Sequence, residues 1–190
     1  MNFDLNEFNK AEAKEFGEYE TLESGGHIVE IVNAYEHTSE MSNKTSLKVE
    51  VDTCKNDKQP GFFRNSYNND TRQNKKWPNG GVKYLSLAND QLSYLKGFIT
   101  ALENSNKGFK FDTNGKWEQL KGLKCAAQFG QEEFEKQDGT IGLATKLVAF
   151  RSLDKLNNIK VPNIKKLDKA PADNFKEFEG VVEIDDNFLD

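Results

Sequence analysis

Long apolar runs are missing from this chain of 190 residues, and their absence excludes whole classes of protein. No stretch approaches the roughly 20 consecutive apolar residues that a membrane-spanning helix needs. The first residues, Met1-Asn-Phe-Asp, lack the basic and apolar segments of a secretion signal. We therefore expect a cytoplasmic protein that makes no contact with a membrane.

Cysteine and histidine are scarce as well, with two of each. Cys54 and Cys125 show no C-x-x-C spacing, so we predict two semi-buried, small hydrophobic side chains rather than a disulfide or a metal pair. His27 and His37 are too few for a catalytic triad or a metal cluster, and we expect both to be ordinary surface or strand-edge residues. We predict no cofactor and no metal.

Two carboxylates give a weak pointer to catalysis. Glu50 and Asp52 suggest a metal-dependent nuclease, but they alternate with Val49 and Val51. That alternation is explained more simply by the solvated face of a strand. We therefore predict that the protein is not an enzyme.

The composition predicts one domain with extensions at both ends. Hydrophobic residues make up 36% of the chain and charged residues 30%, whereas globular domains usually contain about 45–50% apolar residues. A core domain of about 130–150 residues suits this length. We predict an N-terminal arm at 1–24, a domain at 25–167, and a disordered acidic tail at 168–190 with eight acidic residues against two lysines.

The pattern of apolar residues predicts three strands before the middle of the chain. Residues 27–35 form a β-branched run bounded by turn residues. Residues 45–52 alternate at period two, which directs Leu47, Val49 and Val51 inward. Residues 61–67 are interpreted as the third strand, and 68–87 as a long loop of functional character.

A helix and two more strands complete the predicted domain. Apolar residues recur at helical spacing across 91–104. The later elements are strands at 120–129 and 140–151, an acidic turn at 131–139, and a basic extended segment at 152–168. Three strands, a helix and two strands match the element order of the OB-fold, so we predict a mainly β, five-stranded OB-like barrel. A five-stranded α+β sandwich remains the alternative.

The stretch 55–84 combines positive charge with aromatic rings. It holds seven basic residues against two acidic ones, with five aromatic residues interleaved. Cations neutralise phosphates and release counterions, while flat rings stack on exposed bases, so this pairing favours binding of a single strand. With three neighbours from predicted strands two and five, the candidate nucleic-acid-binding residues are Lys48, Phe63, Arg64, Tyr67, Arg72, Lys75, Lys76, Trp77, Lys83, Tyr84, Lys146 and Arg151.

Structural roles compete with binding at several of these positions. If 61–67 is a strand, Phe63 and Tyr67 share one face and Phe62 and Arg64 the other. One of the two phenylalanines must then enter the core, and the pattern does not say which. Trp77 is equally suited to pinning the long loop onto the domain.

The C-terminal tail carries apolar residues among its acids. Phe188 and Leu189 lie close to Asp185 and Asp186. Such a tip offers a small hydrophobic anchor for a basic pocket on a partner protein, and it resembles the tails of bacterial single-stranded DNA-binding proteins. A terminus that only improves solubility is the alternative.

Six short motifs carry a resemblance to a known family. They are Phe8-Asn-Lys-Ala-Glu-Ala-Lys-Glu-Phe-Gly17, Gly25-Gly-His-Ile-Val29, Asn69-Asp-Thr-Arg-Gln-Asn-Lys-Lys-Trp-Pro78, Lys96-Gly-Phe-Ile-Thr100, Asp138-Gly-Thr-Ile-Gly142 and Phe150-Arg-Ser-Leu-Asp-Lys155. Together they resemble small phage and prophage proteins of low-GC Gram-positive bacteria, encoded in the replication and recombination module and considered similar to single-strand DNA-binding proteins. The resemblance implies that the run from Asn69 to Pro78 is a DNA-facing loop.

We therefore predict a phage protein that binds single-stranded DNA during replication or recombination. Its tail would recruit phage or host replication and recombination proteins, and a homo-oligomer is compatible with the sequence, although nothing marks an interface. The alternative is a protein–protein adaptor or loader with little DNA binding. The near-neutral charge of the chain before the tail favours that alternative.

Overall fold

The computed structural model describes residues 4–10, 20–136 and 138–167, and their regular structure is dominated by β-strands. The strands are β1 (Gly25–Thr38), β2 (Thr45–Thr53), β3 (Val82–Ser86), β4 (Lys124–Glu135) and β5 (Ile141–Arg151). The helices are α1 (Leu5–Lys10), α2 (Phe62–Asn69) and α3 (Leu92–Ser105), with short 3-10 segments at Asn79–Gly81, Asn89–Gln91, Trp117–Leu120 and Leu153–Asn158. No helix within the described ranges has the length and apolar character needed to cross a membrane.

The five strands form one antiparallel sheet in the order β3-β2-β1-β4-β5. Alternation along β2 buries Leu47, Val49 and Val51 completely, as predicted. Val29 and Ile31 of the neighbouring β1 are also fully buried and extend the same apolar face. The predicted mainly β character is therefore confirmed.

Helix α3 covers the apolar face of the sheet, close to its predicted position at 91–104. Its three- and four-residue spacing places Phe98, Ile99 and Leu102 in the core. The Phe98 ring lies with its centroid 4.4 Å from that of Phe150 on β5. The helix therefore packs against the end of β5 as part of the hydrophobic core.

The prediction of a third strand at 61–67 is wrong, because this segment forms the helix α2. Asp52, near the end of β2, accepts hydrogen bonds from the backbone amides of Phe63 (3.0 Å) and Arg64 (3.2 Å). These bonds satisfy amides of the first helical turn, which have no partner inside a helix. The third strand is instead β3, inside the predicted loop 68–87, and it pairs with β2 through Lys48 and Tyr84.

The predicted turn at 131–139 is shorter than expected. Strand β4 continues to Glu135, which pairs with Ile141, and the amide of Lys136 donates to the carbonyl of Thr140 (2.8 Å). After β5, the segment predicted to be extended first forms the 3-10 segment Leu153–Asn158. It then runs along β4 and makes a parallel bridge between Lys165 and Glu132.

The two edge strands of the sheet, β3 and β5, approach each other without being neighbours in its hydrogen-bonded order. The ammonium group of Lys83 on β3 lies 3.4 Å from the carbonyl oxygen of Leu147 on β5. Gly80 lies so close that a Cβ there would be 2.7 Å from the carbonyl oxygen of Thr145. The sheet is thus open, with its edges facing across a narrow seam.

Candidate nucleic-acid interface

The predicted DNA-facing loop after α2 is pinned to the sheet by its tryptophan. The indole Nε1 of Trp77 donates to the carbonyl oxygen of Val51 (3.0 Å). The ring of Trp77 lies 5.5 Å from that of Tyr67, and the Lys75 ammonium lies 4.5 Å from the Tyr67 centroid. The interpretation of Trp77 as a loop anchor is confirmed, and base stacking by these half-buried rings stays a prediction.

Two of the predicted cations on this stretch already have carboxylate partners. Arg64 Nε lies 3.1 Å from Asp52 Oδ2. Arg72 donates from Nη2 to Asp70 Oδ2 at 2.6 Å and from Nε to Asp70 Oδ1 at 2.9 Å. These bonds from Arg72 lower the pKa of Asp70 to about 2. Lys76 is exposed and forms no ion pair with another described residue.

Phe63 is not available for stacking on a base. Its side chain is 2% exposed, and its ring lies 5.8 Å from the core ring of Phe129. Its predicted role in nucleic-acid binding is therefore wrong, and Phe63 rather than Phe62 is the buried member of the pair.

The two carboxylates predicted on the solvated face of β2 are buried instead. Glu50 accepts hydrogen bonds from the Lys48 ammonium (2.7 Å) and from the Tyr35 hydroxyl (3.2 Å). Asp52 is 4% exposed, because α2 begins directly over it and supplies its partners. Alternation alone could not predict this burial, because the covering groups come from other strands and from α2.

His27 is also buried, contrary to the prediction of a surface or strand-edge position. Its Nδ1 lies 2.8 Å from Asp57 Oδ1 and its Nε2 lies 2.9 Å from the carbonyl oxygen of Glu23. Burial raises the pKa of Asp57, but hydrogen bonds from His27, Gln59 and Ile28 outweigh burial and leave that pKa below its usual value. This cluster ties the chain before β1 to the loop after β2.

Cys54 and Cys125 are free thiols, and both are more deeply buried than the predicted semi-buried positions. Burial raises the pKa of Cys54 to about 11 and also raises that of Cys125. Both thiols therefore remain protonated at neutral pH and act as small core side chains.

An aromatic and cationic row crosses the outer face of three strands. Tyr35 on β1 pairs with Lys48 on β2, which pairs with Tyr84 on β3. Tyr84 is 52% exposed, and the ring of His37 lies 5.5 Å from it. Burial lowers the pKa of Lys48, but hydrogen bonds to Glu50 and Tyr35 together outweigh burial and leave that pKa above its usual value. Lys48 is therefore positively charged at neutral pH.

Sequence reasoning missed Tyr35 and His37 as members of this surface. Both lie on β1, which continues three residues beyond the predicted end of the strand at residue 35. Their period-two spacing continues past the buried part of β1 and was the available signal. A register shift between Ile31 and Asn33 hides this continuity when the strand is taken as perfectly regular.

The seam between β3 and β5 opens into a groove next to this row. Its volume is about 530 Å³, and it is lined by Asn79, Val82, Lys83, Tyr84, Glu132, Lys146 and Leu147. Lys83 enters it half-buried, and burial lowers its pKa. Lys146 lies 3.5 Å from Glu132. The groove unites three predicted site residues, Lys83, Tyr84 and Lys146.

No protein-family model and no curated protein matches this chain. The family resemblance of the motifs stays a prediction, and the functional argument depends on the surface itself.

The remaining predicted residues lie apart from this groove or outside the described structure. Arg151 is the last residue of β5 and contributes to a different pocket. The tail residues Asp185, Asp186, Phe188 and Leu189 lie outside the described residues.

Proposed function

We propose that this protein binds single-stranded nucleic acid, with DNA as the expected ligand, through the row Tyr35–Lys48–Tyr84 and the adjoining seam groove. The observation that carries this proposal is the exposed ring of Tyr84, which lies opposite Lys48 in the register of β2 and β3 and lines the seam groove together with Lys83. The flat ring can stack on a base while the neighbouring cations contact phosphates, and this mode of binding does not depend on the nucleotide sequence.

The proposed fold supports the same surface. We propose an OB-like fold, because α3 lies between the third and fourth strands and the edges of β3 and β5 face each other. In OB-folds the binding face lies across strands two and three and is flanked by the loops after strands one and four. Here β2 carries Lys48 and β3 carries Tyr84, so the aromatic and cationic row occupies that face.

Charge pairing supports a second candidate, a protein–protein adaptor that touches DNA weakly. Lys48, Arg64, Arg72 and Lys146 each have a carboxylate partner within 4 Å. Phosphates must compete with these carboxylates, so binding to DNA should be moderate rather than tight. An adaptor needs no such competition, and its partner would meet a surface of mixed charge.

The proposed setting is phage replication or recombination in the cytoplasm of a bacterial host. The protein would act without catalysis, and its acidic tail would recruit replication or recombination proteins of the phage or host.

Substitution of Tyr84 by alanine is expected to weaken binding of a labelled single-stranded oligonucleotide about 5- to 150-fold, because stacking of one base contributes about 1–3 kcal/mol. Fluorescence anisotropy at two salt concentrations measures this, with duplex of the same sequence as a second ligand. Tyr94→Ala is the matched control, since Tyr94 is 75% exposed on α3. Equal losses in both variants would contradict the site, and no binding of the wild type at low salt would favour the adaptor.

Deletion of residues 180–190 is expected to leave or raise affinity for the oligonucleotide while abolishing capture of partner proteins. The deleted segment removes four acids that repel phosphate, together with the apolar anchor. Anisotropy and pull-down with the purified full chain and the shortened chain measure both effects. A loss of DNA affinity on deletion would show that the tail model is wrong.

A further inference from the structure

A second concave surface lies where β5 ends. It has a volume of about 270 Å³ and lies between β4 and the segment that follows β5. Its lining residues are Gln128, Arg151, Lys155, Asn158, Ile159 and Lys160.

The charged groups that line this pocket are all positive. Arg151, Lys155 and Lys160 contribute three cations, and no carboxylate is among the lining residues. None of the three forms an ion pair with another described residue, unlike Lys146 in the seam groove. Three like charges around one concavity repel each other, and a bound anion would relieve that repulsion.

The backbone that carries these cations is held against the sheet. Gln128 Nε2 on β4 donates to the carbonyl oxygen of Lys160 (2.9 Å). The carbonyl oxygen of Leu156 lies so close to β1 that a Cβ at Gly26 would be 3.1 Å from it. Arg151 Nη1 donates to the carbonyl oxygen of Phe150 (3.1 Å), which leaves the other guanidinium nitrogen groups for a ligand. The pocket is thus built on fixed elements.

We propose that this pocket binds a phosphate group, and that the phosphate belongs to the same nucleic-acid strand that lies in the seam groove. The guanidinium of Arg151 presents a planar fork suited to two phosphate oxygens. Lys155 and Lys160 add point charges, and the amide groups of Gln128 and Asn158 add donors. The proposal rests on the proposed function and names a second contact of the strand.

The register of β5 supports a continuous path. Lys146 lines the groove and Arg151 lines the pocket, five residues further along β5, which spans roughly 16 Å. A register shift between Gln128 and Phe129 inserts one extra residue on β5, because these two pair with Ala149 and Leu147. Because this extra residue lies between Lys146 and Arg151, their side chains point to the same side of the sheet although they are five residues apart.

The test is the double substitution Lys155→Glu and Lys160→Glu in the full chain, with a labelled single-stranded oligonucleotide as the probe. Loss of two phosphate contacts is expected to weaken binding and to reduce the slope of log K against log salt by about 1.4. The control is Lys116→Glu with Lys121→Glu, which makes the same charge change at two exposed lysines near the Trp117–Leu120 turn. Circular dichroism checks that all variants are folded.

The outcomes separate this inference from the proposed function. Suppose that the wild type binds the oligonucleotide. If both double variants then show the same loss of affinity and the same reduction in salt slope, or if both bind as the wild type does, the pocket does not contact the strand. A second arm titrates inorganic phosphate into the labelled full chain and follows the amide signals of Arg151 and Lys155 by NMR. If these signals shift but the wild type does not bind the oligonucleotide, the pocket binds free phosphate. That result would overturn both the proposed function and the proposal that the pocket contacts a nucleic-acid strand.

Discussion

Replacing Asp57 with alanine is expected to lower the free energy of unfolding by about 3–5 kcal/mol, because the change removes the buried acceptor of three hydrogen bonds and leaves each donor unsatisfied at a cost of about 1–3 kcal/mol. The Asp57 side chain is 3% exposed and lies 2.8 Å from His27 Nδ1. It also accepts hydrogen bonds from the amides of Ile28 (2.7 Å) and Gln59 (3.0 Å). All three donors lose their acceptor in the variant. Urea unfolding followed by tryptophan fluorescence measures the loss.

The pH dependence of this effect has a definite sign. The pKa of Asp57 is lower in the folded chain than in the unfolded chain. Its ionised form therefore stabilises the fold fully above the unfolded value of about 3.9, and this contribution disappears as the pH falls through the folded pKa. The difference between wild type and variant should then shrink in acid.

Asp154→Ala is the control for this experiment. Asp154 is exposed on the 3-10 segment Leu153–Asn158, and its loss should change stability by no more than about 0.5 kcal/mol. A destabilisation of similar size in both variants, or one that does not vary with pH, would contradict a buried, hydrogen-bonded carboxylate at Asp57.

Replacing Phe63 with alanine is expected to cost about 3–5 kcal/mol of stability, the usual loss for a large aromatic side chain removed from a core. The Phe63 ring packs edge-on against Phe62, with centroids 5.2 Å apart. It also lies against the backbone of Gly81, where a Cβ would come within 2.8 Å of the ring. Removal of the ring therefore leaves a cavity between α2, the 3-10 segment Asn79–Gly81 and the sheet.

Unfolding and binding measured on the same Phe63→Ala protein separate the two roles of this residue. A core residue loses stability, whereas a stacking platform would lose DNA affinity with little change in the unfolding midpoint. Phe134→Ala is the control, since Phe134 is 41% exposed near the tip of the β4–β5 hairpin. Equal stability of the Phe63 variant and the wild type would contradict the core assignment.

The sequence by itself determined four of the five strands and the long helix. Leu47, Val49 and Val51 are fully buried because period-two alternation decides which face of a strand is apolar. The spacing of Phe98, Ile99 and Leu102 likewise determined the buried side of α3. These patterns are local, so they do not depend on which elements become neighbours.

Only the tertiary structure decided that 62–69 is a helix. A short apolar run suits a strand or a helix equally well. The choice depended on Asp52, which accepts hydrogen bonds from the first amides of α2, and on the space that Gly81 leaves for Phe63. Both groups are more than ten positions from the residues they contact, so no pattern within the segment contains them.

For the candidate site too, the sequence predicted some features and only the tertiary structure decided the others. Charge and aromatic character alone predicted Lys83, Tyr84 and Lys146 as candidate binding residues. Their assembly into one groove required the two sheet edges, 63 positions apart in the chain, to meet across the seam at Lys83 and Lys146. Composition records which side chains are present, but packing decides which of them are buried, which are paired with a carboxylate, and which face the same surface.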